Sequence, residues 1–364
     1  MENLVDLIPR EPITCFWEIT DACNLRCVHC EADAGTRSKN ELDPDEALAL
    51  VDGLASAGTQ GVMLTGGEPL VRADWPAIAA RISERGMAPT IITNGLLVDE
   101  GRIAQMIDAG VVGLSVSLDG DEEVHDAIRV GPRGRLRGSY RRAIGAIELG
   151  AASSLKVGVI TQIHRRNIDD LERMCSQIAD LGVDVWQVQI CMPLGRLLRL
   201  EREYMLDTAE LPRLTERVAR LIQDGRVPIA VADNIGYYDP HEPVLRGSLG
   251  GPRAFWTGCK AGLRVVGVCS DGAVKGCPSH PREFVVGNVR EESFGAIWND
   301  ADRFEYNTGF REELLEGGCA ECPYRRLCRA GCTSMAYAVT GTIYDNPFCV
   351  QRAVKRDGGG PDER

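Results

Sequence analysis

The 364-residue sequence lacks the features that would direct the protein to a membrane or to nucleic acid. Residues 1–12 contain no cationic start followed by an apolar run, and no stretch approaches the roughly 20 apolar residues that span a bilayer. Positive charge is not in excess, because the net charge is −12, whereas general nucleic-acid binders neutralise phosphates. We therefore expect a cytoplasmic protein that binds neither membranes nor nucleic acid.

Cysteine, in contrast, is abundant, with 14 residues. In a reducing compartment these are not expected to form disulfides, so metal ligation is the first hypothesis. Three of them, Cys23, Cys27 and Cys30, are spaced as CxxxCxxC. Structural metal sites normally have four protein ligands, so three thiolates leave one position of an iron–sulfur cluster open. A zinc loop is the alternative that this spacing alone allows.

This motif, together with Gly66-Gly67-Glu68-Pro69 after an apolar run, resembles the radical S-adenosylmethionine (SAM) enzymes. In that family the open iron of a 4Fe-4S cluster chelates SAM, and one electron cleaves it to a 5′-deoxyadenosyl radical. The resemblance places His29 where the family usually has an aromatic ring near the adenine. It also implies an external one-electron reductant of the flavodoxin or ferredoxin type.

Residues 13–229 alternate short β-branched runs with longer amphipathic segments, a pattern that predicts a parallel sheet covered by helices. The predicted strands are 14–19, 61–64, 90–93, 112–117, 156–161 and 183–190. The predicted helices are 45–57, 75–84, 101–109, 140–149, 168–181 and 208–223. The family resemblance implies a partial (β/α)6 barrel of the α/β class, with ligands at the carboxyl ends of the strands.

Several residues near those strand ends are candidate SAM contacts. Gly66 and Gly67 let the backbone approach a ligand, since they lack Cβ. The resemblance places Glu68, followed by Pro69, near the SAM ammonium. Ser117, Arg129 and Asn94 are further candidates that also fit ordinary strand-end roles, and the resemblance assigns Ser117 and Arg129 to the SAM ribose or carboxylate. Gln189, also a candidate, lines the substrate cavity together with Gln187 if strand alternation turns both inward. Cys191 is either a hydrogen-atom donor to a substrate radical or a small apolar filler.

A second set of seven cysteines follows residue 258 and resembles the SPASM extension, which binds auxiliary 4Fe-4S clusters. By resemblance the outer cluster takes Cys319, Cys322, Cys328 and Cys349, and the inner cluster takes Cys259, Cys277 and Cys332. The protein would then hold three 4Fe-4S clusters. A zinc ribbon is the alternative for the CxxC pair.

The inner set is one ligand short, because Val265 stands where some family members have a fourth cysteine. Cys269 is a possible substitute. A two-residue turn at Asp271-Gly272 would pair Cys269 with Val274, roughly 10 Å along the ladder from Cys277. The remaining alternatives are an open iron that binds substrate and a ligand from outside the seven cysteines.

Proline and glycine cluster between residues 237 and 252, and the last residues are polar. We therefore predict a radical SAM core at 1–235, a linker at 236–258, a SPASM domain with a β-hairpin at 259–352 and a disordered tail at 353–364.

The function that fits best is modification of a ribosomally made peptide by cross-linking, oxidation or epimerisation. Only 22 residues precede Cys23, so a leader peptide would bind the barrel or a separate recognition protein. Pro278 replaces the aspartate of sulfatase-activating members, which argues against that activity. The alternatives are an enzyme acting on a small molecule such as a haem or cofactor precursor, and an iron–sulfur electron-transfer protein, which would need no SAM pocket.

Overall fold

A computed structural model describes residues 10–134, 136–248 and 255–358, with side chains as far as residue 354. Ten strands form one sheet in the order β10-β9-β8-β1-β2-β3-β4-β5-β6-β7. The strands are β1 Thr14–Thr20, β2 Gly61–Gly66, β3 Ala88–Thr93, β4 Gly113–Ser117, β5 Lys156–Ile163, β6 Val185–Ile190, β7 Ile229–Val231, β8 Val265–Val268, β9 Ala273–Lys275 and β10 Gly287–Asn288.

Helices connect these strands and continue through the C-terminal part. They are α1 Pro44–Ser56, α2 Trp75–Glu84, α3 Glu100–Asp108, α4 Glu122–Ile128, α5 Ser139–Ala151, α6 Leu171–Asp180, α7 Glu201–Tyr204, α8 Leu211–Asp224, α9 Glu242–Gly247, α10 Phe294–Asn299, α11 Glu305–Thr308, α12 Gly317–Ala320, α13 Arg325–Cys328, α14 Thr333–Thr340 and α15 Val350–Gly358. Among the described helices, none combines the length and apolarity needed to cross a membrane.

The parallel pairing of β1 through β7 confirms the predicted α/β architecture of a partial barrel. Local sequence accounts for its helices. Helix α1, for example, begins at Asp43, whose side chain accepts from the Glu46 N–H while Glu46 bonds back to Asp43, and Pro44 occupies the first helical position. Strand β7 and helix α4 were not predicted, because each is too short to show a clear period. The predicted helices at 168–181 and 208–223 each begin with a 3-10 turn.

The two faces of the barrel sheet differ in chemistry. In β1 the side chains of Cys15, Trp17 and Ile19 are fully buried beneath the helices, whereas Phe16 and Glu18 alternate with them on the inner face. The same alternation continues around the barrel, so the inner face carries partly exposed polar side chains: Ser117 of β4, Gln162 of β5, and Gln187 and Gln189 of β6. The carboxyl ends of the strands surround this face.

The C-terminal part is continuous with the barrel sheet. Strand β8 pairs in parallel with β1, and β9 then pairs antiparallel with β8. The hairpin exists as predicted, but its register was wrong by one residue: Val268 opposes Val274, and Cys269 N–H donates to Ala273 O at 2.9 Å. The loop therefore has three residues and ends in Gly272 at φ +83°, a conformation that glycine adopts readily.

The segment that we predicted as a linker is folded where the structure describes it. Residues 236–248 include α9 and the buried rings of Tyr237 and Tyr238, and Trp256 is 5% exposed. Helix α15 likewise extends to Gly358, with Ala353 buried, into the segment predicted as a disordered tail. Both segments are ordered because their apolar and aromatic side chains are buried, even though proline and glycine are frequent in them. Residues 1–9, 249–254 and 359–364 lie outside the described residues.

Candidate active site

The loop that carries Cys23, Cys27 and Cys30 follows β1, at the carboxyl end of the sheet. Burial raises the pKa of the Cys27 thiol to about 12, Arg129 lowers it, and the Cys30 and Cys23 thiols raise it again. The three sulfurs thus lie close enough to influence one another. This donor set suits an iron–sulfur cluster, which binds thiolates.

Gly66 and Gly67 hold this loop in place by direct backbone contact. A Cβ on Gly66 would lie 2.3 Å from Thr20 O, and one on Gly67 would lie 2.2 Å from Ala22 O. The missing Cβ atoms let the two segments approach closely enough to form two backbone hydrogen bonds. Gly67 N–H donates to Thr20 O at 2.7 Å, and Glu68 N–H donates to Ala22 O at 2.8 Å. The glycines therefore serve the chain leading into Cys23, a role that the sequence did not indicate.

Glu68 is fully buried and has three protein donors. Its carboxylate accepts from Thr93 Oγ1 at 2.7 Å, from Asn94 N–H at 2.9 Å and from Leu70 N–H at 3.2 Å. Pro69 starts the short 3-10 turn at Pro69–Val71. Glu68 thus joins the end of β2 to the end of β3, and its contact with the SAM ammonium stays a prediction.

Asn94 is similarly engaged. Its Nδ2 donates to Asn24 Oδ1 at 2.7 Å, and Asn24 lies within the cysteine loop. Asn94 Oδ1 accepts from the Leu96 N–H at 3.0 Å. The end of β3 therefore supports the same loop as the glycine pair.

A buried ion pair lies beside the first cysteine site. Arg129 Nε donates to Asp119 Oδ2 at 2.6 Å, and His29 Nε2 lies 3.4 Å from the same oxygen. Burial lowers the pKa of His29 to about 3, so the imidazole is neutral. Burial alone would lower the pKa of Arg129, but the nearby Asp119 carboxylate and the Cys27 thiol raise it more, so the pKa of Arg129 lies above its ordinary value. Both residues predicted from the family therefore meet at Asp119, which the sequence showed only as a strand-end residue.

The inner face holds the remaining barrel candidates. Ser117 and Gln189 are partly exposed there, and Gln187 Nε2 donates to Gln189 Oε1 at 3.0 Å. Cys191 follows β6 and is only 1% exposed. Burial raises the pKa of its thiol, and the Asp119 and Glu31 carboxylates raise it further, so the thiol stays protonated.

Four cysteines converge at the outer site. Cys319, Cys322, Cys328 and Cys349 line one cavity of about 210 Å³, together with Arg325 and Arg352. Burial raises the pKa of Cys328, and the thiols of Cys349, Cys319 and Cys322 each raise it further. These four thiols and the space between them fit a cluster with four protein ligands.

Three cysteines meet at the inner site. Burial raises the pKa of Cys332, and the thiols of Cys259 and Cys277 raise it further. The Cys332 N–H donates to Tyr237 Oη at 2.8 Å, which places the start of α14 against the former linker segment. The Asp233 carboxylate also raises the pKa of Cys277 and of Cys332.

Cys269 lies in different surroundings. Burial raises its pKa to about 12, and the charged groups that act on it are Glu18, Lys275, Arg282 and Asp271. The observed register moves Cys269 one residue further along the hairpin from Cys277 than the predicted one. Its position thus supports the expectation that the inner site takes its fourth ligand elsewhere or has none.

Sequence reasoning missed a polar cluster between the first and inner cysteine sites. Glu31 Oε2 accepts from Ser279 Oγ at 2.9 Å, and Gln162 Nε2 lies 3.5 Å from Glu31 Oε1. Lys275 Nζ lies 3.7 Å from Glu18 Oε2. The sequence did offer a signal for this cluster, because Glu31 directly follows Cys30 and Ser279 lies two residues after Cys277. Residues that close to a cysteine ligand have to lie near the same site.

Arg196 was also missed as a support of the first loop. Its Nε donates to Cys27 O and its Nη1 to Ala34 O, both at 2.8 Å. Gly195, at φ +53°, lets this segment approach, since a Cβ would lie 2.4 Å from Cys30 O. The chain after β6 therefore braces the cysteine loop from the opposite side.

Within the described residues, no group of three or more histidine, cysteine or acidic side chains forms a ready-made site for a single metal ion.

Family models match two parts of the chain. The Radical SAM superfamily matches residues 17–178, and the SPASM iron-sulfur cluster-binding domain matches residues 259–323. An AdoMet-dependent heme synthase of Methanosarcina barkeri is 30% identical over 93% of this chain and 97% of that protein. A PqqA peptide cyclase of Granulibacter bethesdensis is 28% identical over 93% and 87%.

Solved structures share the fold. Native anSMEcpe with bound AdoMet superposes with a TM-score of 0.73 and 16% identity, covering 94% of this chain and 95% of that one. Streptococcus suis SuiB bound to precursor peptide SuiA gives 0.72 and 16% identity, covering 94% and 76%.

Proposed function

Because the chain belongs to the radical SAM superfamily and carries a SPASM domain, we propose that it modifies a peptide substrate bound against the inner face of its barrel. The protein is an enzyme that uses SAM, a SAM-binding 4Fe-4S cluster and auxiliary iron–sulfur clusters. Cys23, Cys27 and Cys30 would hold the cluster that binds SAM, and the bound pair would supply the radical chemistry that removes a hydrogen atom from the substrate.

The observation that carries the peptide proposal is the chemistry of the inner face. Gln162, Gln187 and Gln189 present amide groups that pair well with peptide backbone. Glu18 and Glu31 lie near these amides, since Gln162 Nε2 is 3.5 Å from Glu31 Oε1, and Lys275 Nζ is 3.7 Å from Glu18 Oε2. A face of this charge suits a neutral or cationic peptide better than a substrate with several carboxylates.

The second candidate is a haem precursor. It is favoured by the M. barkeri heme synthase, which the chain matches over 97% of its length. An Fe-coproporphyrin carries several carboxylates, however, and the inner face places the carboxyl groups of Glu18 and Glu31 where it would have to bind them, with Lys275 already beside Glu18. Because of these acidic side chains on the inner face, we place the haem precursor second.

Residue roles follow from position. We propose that Cys23, Cys27 and Cys30 bind the SAM cluster, that Cys319, Cys322, Cys328 and Cys349 bind the outer cluster, and that Cys259, Cys277 and Cys332 bind the inner one. Glu68, Asn94 and Arg196 hold the first loop in place. The candidate SAM contacts are His29, Glu68, Asn94, Ser117, Arg129 and Gln189. The burial of Cys191 favours the apolar-filler role, which leaves oxidation and cross-linking as the better-supported outcomes.

The electron for SAM cleavage comes from an external flavodoxin or ferredoxin in this proposal. A separate peptide-recognition protein is a further proposed partner. Each would be tested by adding the purified partner to the assay below.

The deciding assay uses anaerobically reconstituted protein with SAM and dithionite. A short peptide encoded beside the gene and Fe-coproporphyrin III are offered separately, and products are followed by mass spectrometry. We expect 5′-deoxyadenosine together with a peptide that has lost hydrogen, and unchanged porphyrin. The Cys30→Ala variant, as control, should form neither product. Conversion of the porphyrin with an unmodified peptide would reverse the ranking, and no 5′-deoxyadenosine would refute the proposal.

A further inference from the structure

A tyrosine hydroxyl is buried at the inner cysteine site with no acceptor for its hydrogen. Tyr306 Oη faces the Gly276 N–H, and within the described residues no protein group accepts from it. Its helix, α11, is fixed to the Cys259 segment by the neighbouring Asn307, whose Nδ2 donates to Cys259 O at 2.9 Å and to Ala261 O at 2.6 Å. The hydroxyl is thus held in a defined place that offers it no protein acceptor.

That place is between the two chain segments that carry inner cysteines. A Cβ on Gly276 would lie 2.1 Å from Tyr306 Oη and 3.0 Å from the Ala261 carbonyl carbon. Gly276 directly precedes Cys277, and Ala261 closely follows Cys259. Burial raises the pKa of Tyr306, and the Cys259 and Cys277 thiols raise it further, in agreement with this position.

Packing keeps the Tyr306 ring from turning elsewhere. The His280 and Phe284 rings meet it edge-on at centroid distances of 5.2 and 5.3 Å, and Phe304 meets it at 6.2 Å. Both nitrogens of His280 are themselves buried without partners, so they do not serve the hydroxyl. Leaving a buried hydroxyl unpaired is costly, and native proteins seldom do so without a reason.

We propose that the Tyr306 hydroxyl donates a hydrogen bond to a sulfur of the inner cluster and thereby sets that cluster's reduction potential. This inference rests on the proposed binding of that cluster by Cys259, Cys277 and Cys332. Hydrogen bonds to cluster sulfurs stabilise the more negative, reduced state and so raise the potential. Tyr306 acts as a positioning and tuning residue at a site with only three cysteines.

The first test compares the holoenzyme with Tyr306→Phe and with Tyr344→Phe as matched control. Burial raises the pKa of Tyr344, Glu305 raises it further and Arg311 lowers it, whereas Cys259 and Cys277 are the first charged groups that act on Tyr306. Redox titration followed by electron paramagnetic resonance should show a more negative midpoint potential for the inner cluster of Tyr306→Phe alone. Electron–nuclear double resonance in D2O should show that one exchangeable proton coupling is lost.

A second test avoids any loss of folding in Tyr306→Phe. A fluorinated tyrosine at position 306 is a stronger donor of the same shape, so the inner potential should shift in the positive direction. Iron and sulfide content, measured on every variant, reports whether the inner cluster is present. An absent inner cluster in the wild-type protein would refute the ligand assignment. A present cluster whose potential and proton couplings match in all variants would refute the role of Tyr306.

Discussion

Glu31 and Ser279 are joined by a hydrogen bond of 2.9 Å, although 248 residues separate them along the chain. Glu31 directly follows Cys30, and Ser279 lies two residues after Cys277. The bond therefore connects the loop of the first cluster to the loop of the inner cluster across the inner face of the barrel. It thereby fixes the separation of the two cysteine-bearing loops.

We expect Ser279→Ala to loosen both loops. A hydrogen bond to a charged partner contributes about 1.5 kcal/mol or more, so local opening should become roughly tenfold more frequent. Hydrogen exchange followed by mass spectrometry should show faster exchange at residues 27–35 and 277–283. Ser153→Ala, which removes the bond from Ser153 Oγ to Gly150 O at the end of α5, is the matched control. Equal exchange of both segments in Ser279→Ala and in wild type would contradict this view of the bond.

Gly67→Ala should prevent assembly of the first cluster. The added Cβ would meet Ala22 O at 2.2 Å and so displace the chain leading into Cys23. We expect an iron content lower by one 4Fe-4S cluster and no 5′-deoxyadenosine. Gly145→Ala, on helix α5 where a Cβ meets nothing within 4 Å, is the control and should keep its iron. A fully loaded, active Gly67→Ala protein would show that the loop accommodates the methyl group.

Asp119→Asn should destabilise the fold strongly. It leaves the buried Arg129 without a counter-charge, a change that typically costs about 3–5 kcal/mol. The control is Glu122→Gln, which breaks an exposed pair with Arg141 and should change stability by no more than about 1 kcal/mol. Urea unfolding monitored by circular dichroism measures both. Equal midpoints for the two variants would contradict the importance of the buried pair.

Stability should fall as pH is lowered from 7 to 5. Burial lowers the pKa of His125 and of His164 to about 4, from an unfolded value of about 6.5. Between these values the unfolded state binds protons that the folded state does not, so acid favours unfolding by roughly 2 kcal/mol per histidine. In His164→Gln the free energy of unfolding, measured by urea titration, should fall less between pH 7 and pH 5, by roughly 2 kcal/mol. An unchanged slope would mean that His164 is protonated in the folded protein.

Much of the barrel could be predicted from sequence because its signals are local. Strand β1 shows its inward and outward alternation within seven residues. The capping residues Asp43 and Glu46 indicate where helix α1 begins. The spacing of Cys23, Cys27 and Cys30 likewise shows the cluster loop without any tertiary contact.

What the sequence did not show depends on residues far apart in the chain. The pairing of β8 with β1 joins Val265 to Thr14, and nothing near either residue specifies it. The hairpin register depended on whether Ser270 belongs to the turn, and the Asp271-Gly272 signal wrongly predicted a two-residue turn without it. The hydroxyl of Tyr306 acquires its importance only when Gly276 and Ala261 approach it from two segments.

The outer cysteines offer a test that separates the auxiliary clusters from SAM cleavage. Cys322→Ala removes one of four thiols around the 210 Å³ cavity, and the remaining Cys328 is buried among the other two. We expect an iron content lower by one 4Fe-4S cluster, while 5′-deoxyadenosine still forms, because the SAM site lies in the barrel. Cys175→Ala is the control and should keep every cluster, since Cys175 lies buried in helix α6 and the charged groups that act on its pKa are Arg226, Asp224 and Glu172. An unchanged iron content in Cys322→Ala would show that this thiol is not a ligand, and the assignment of the outer set would have to be revised.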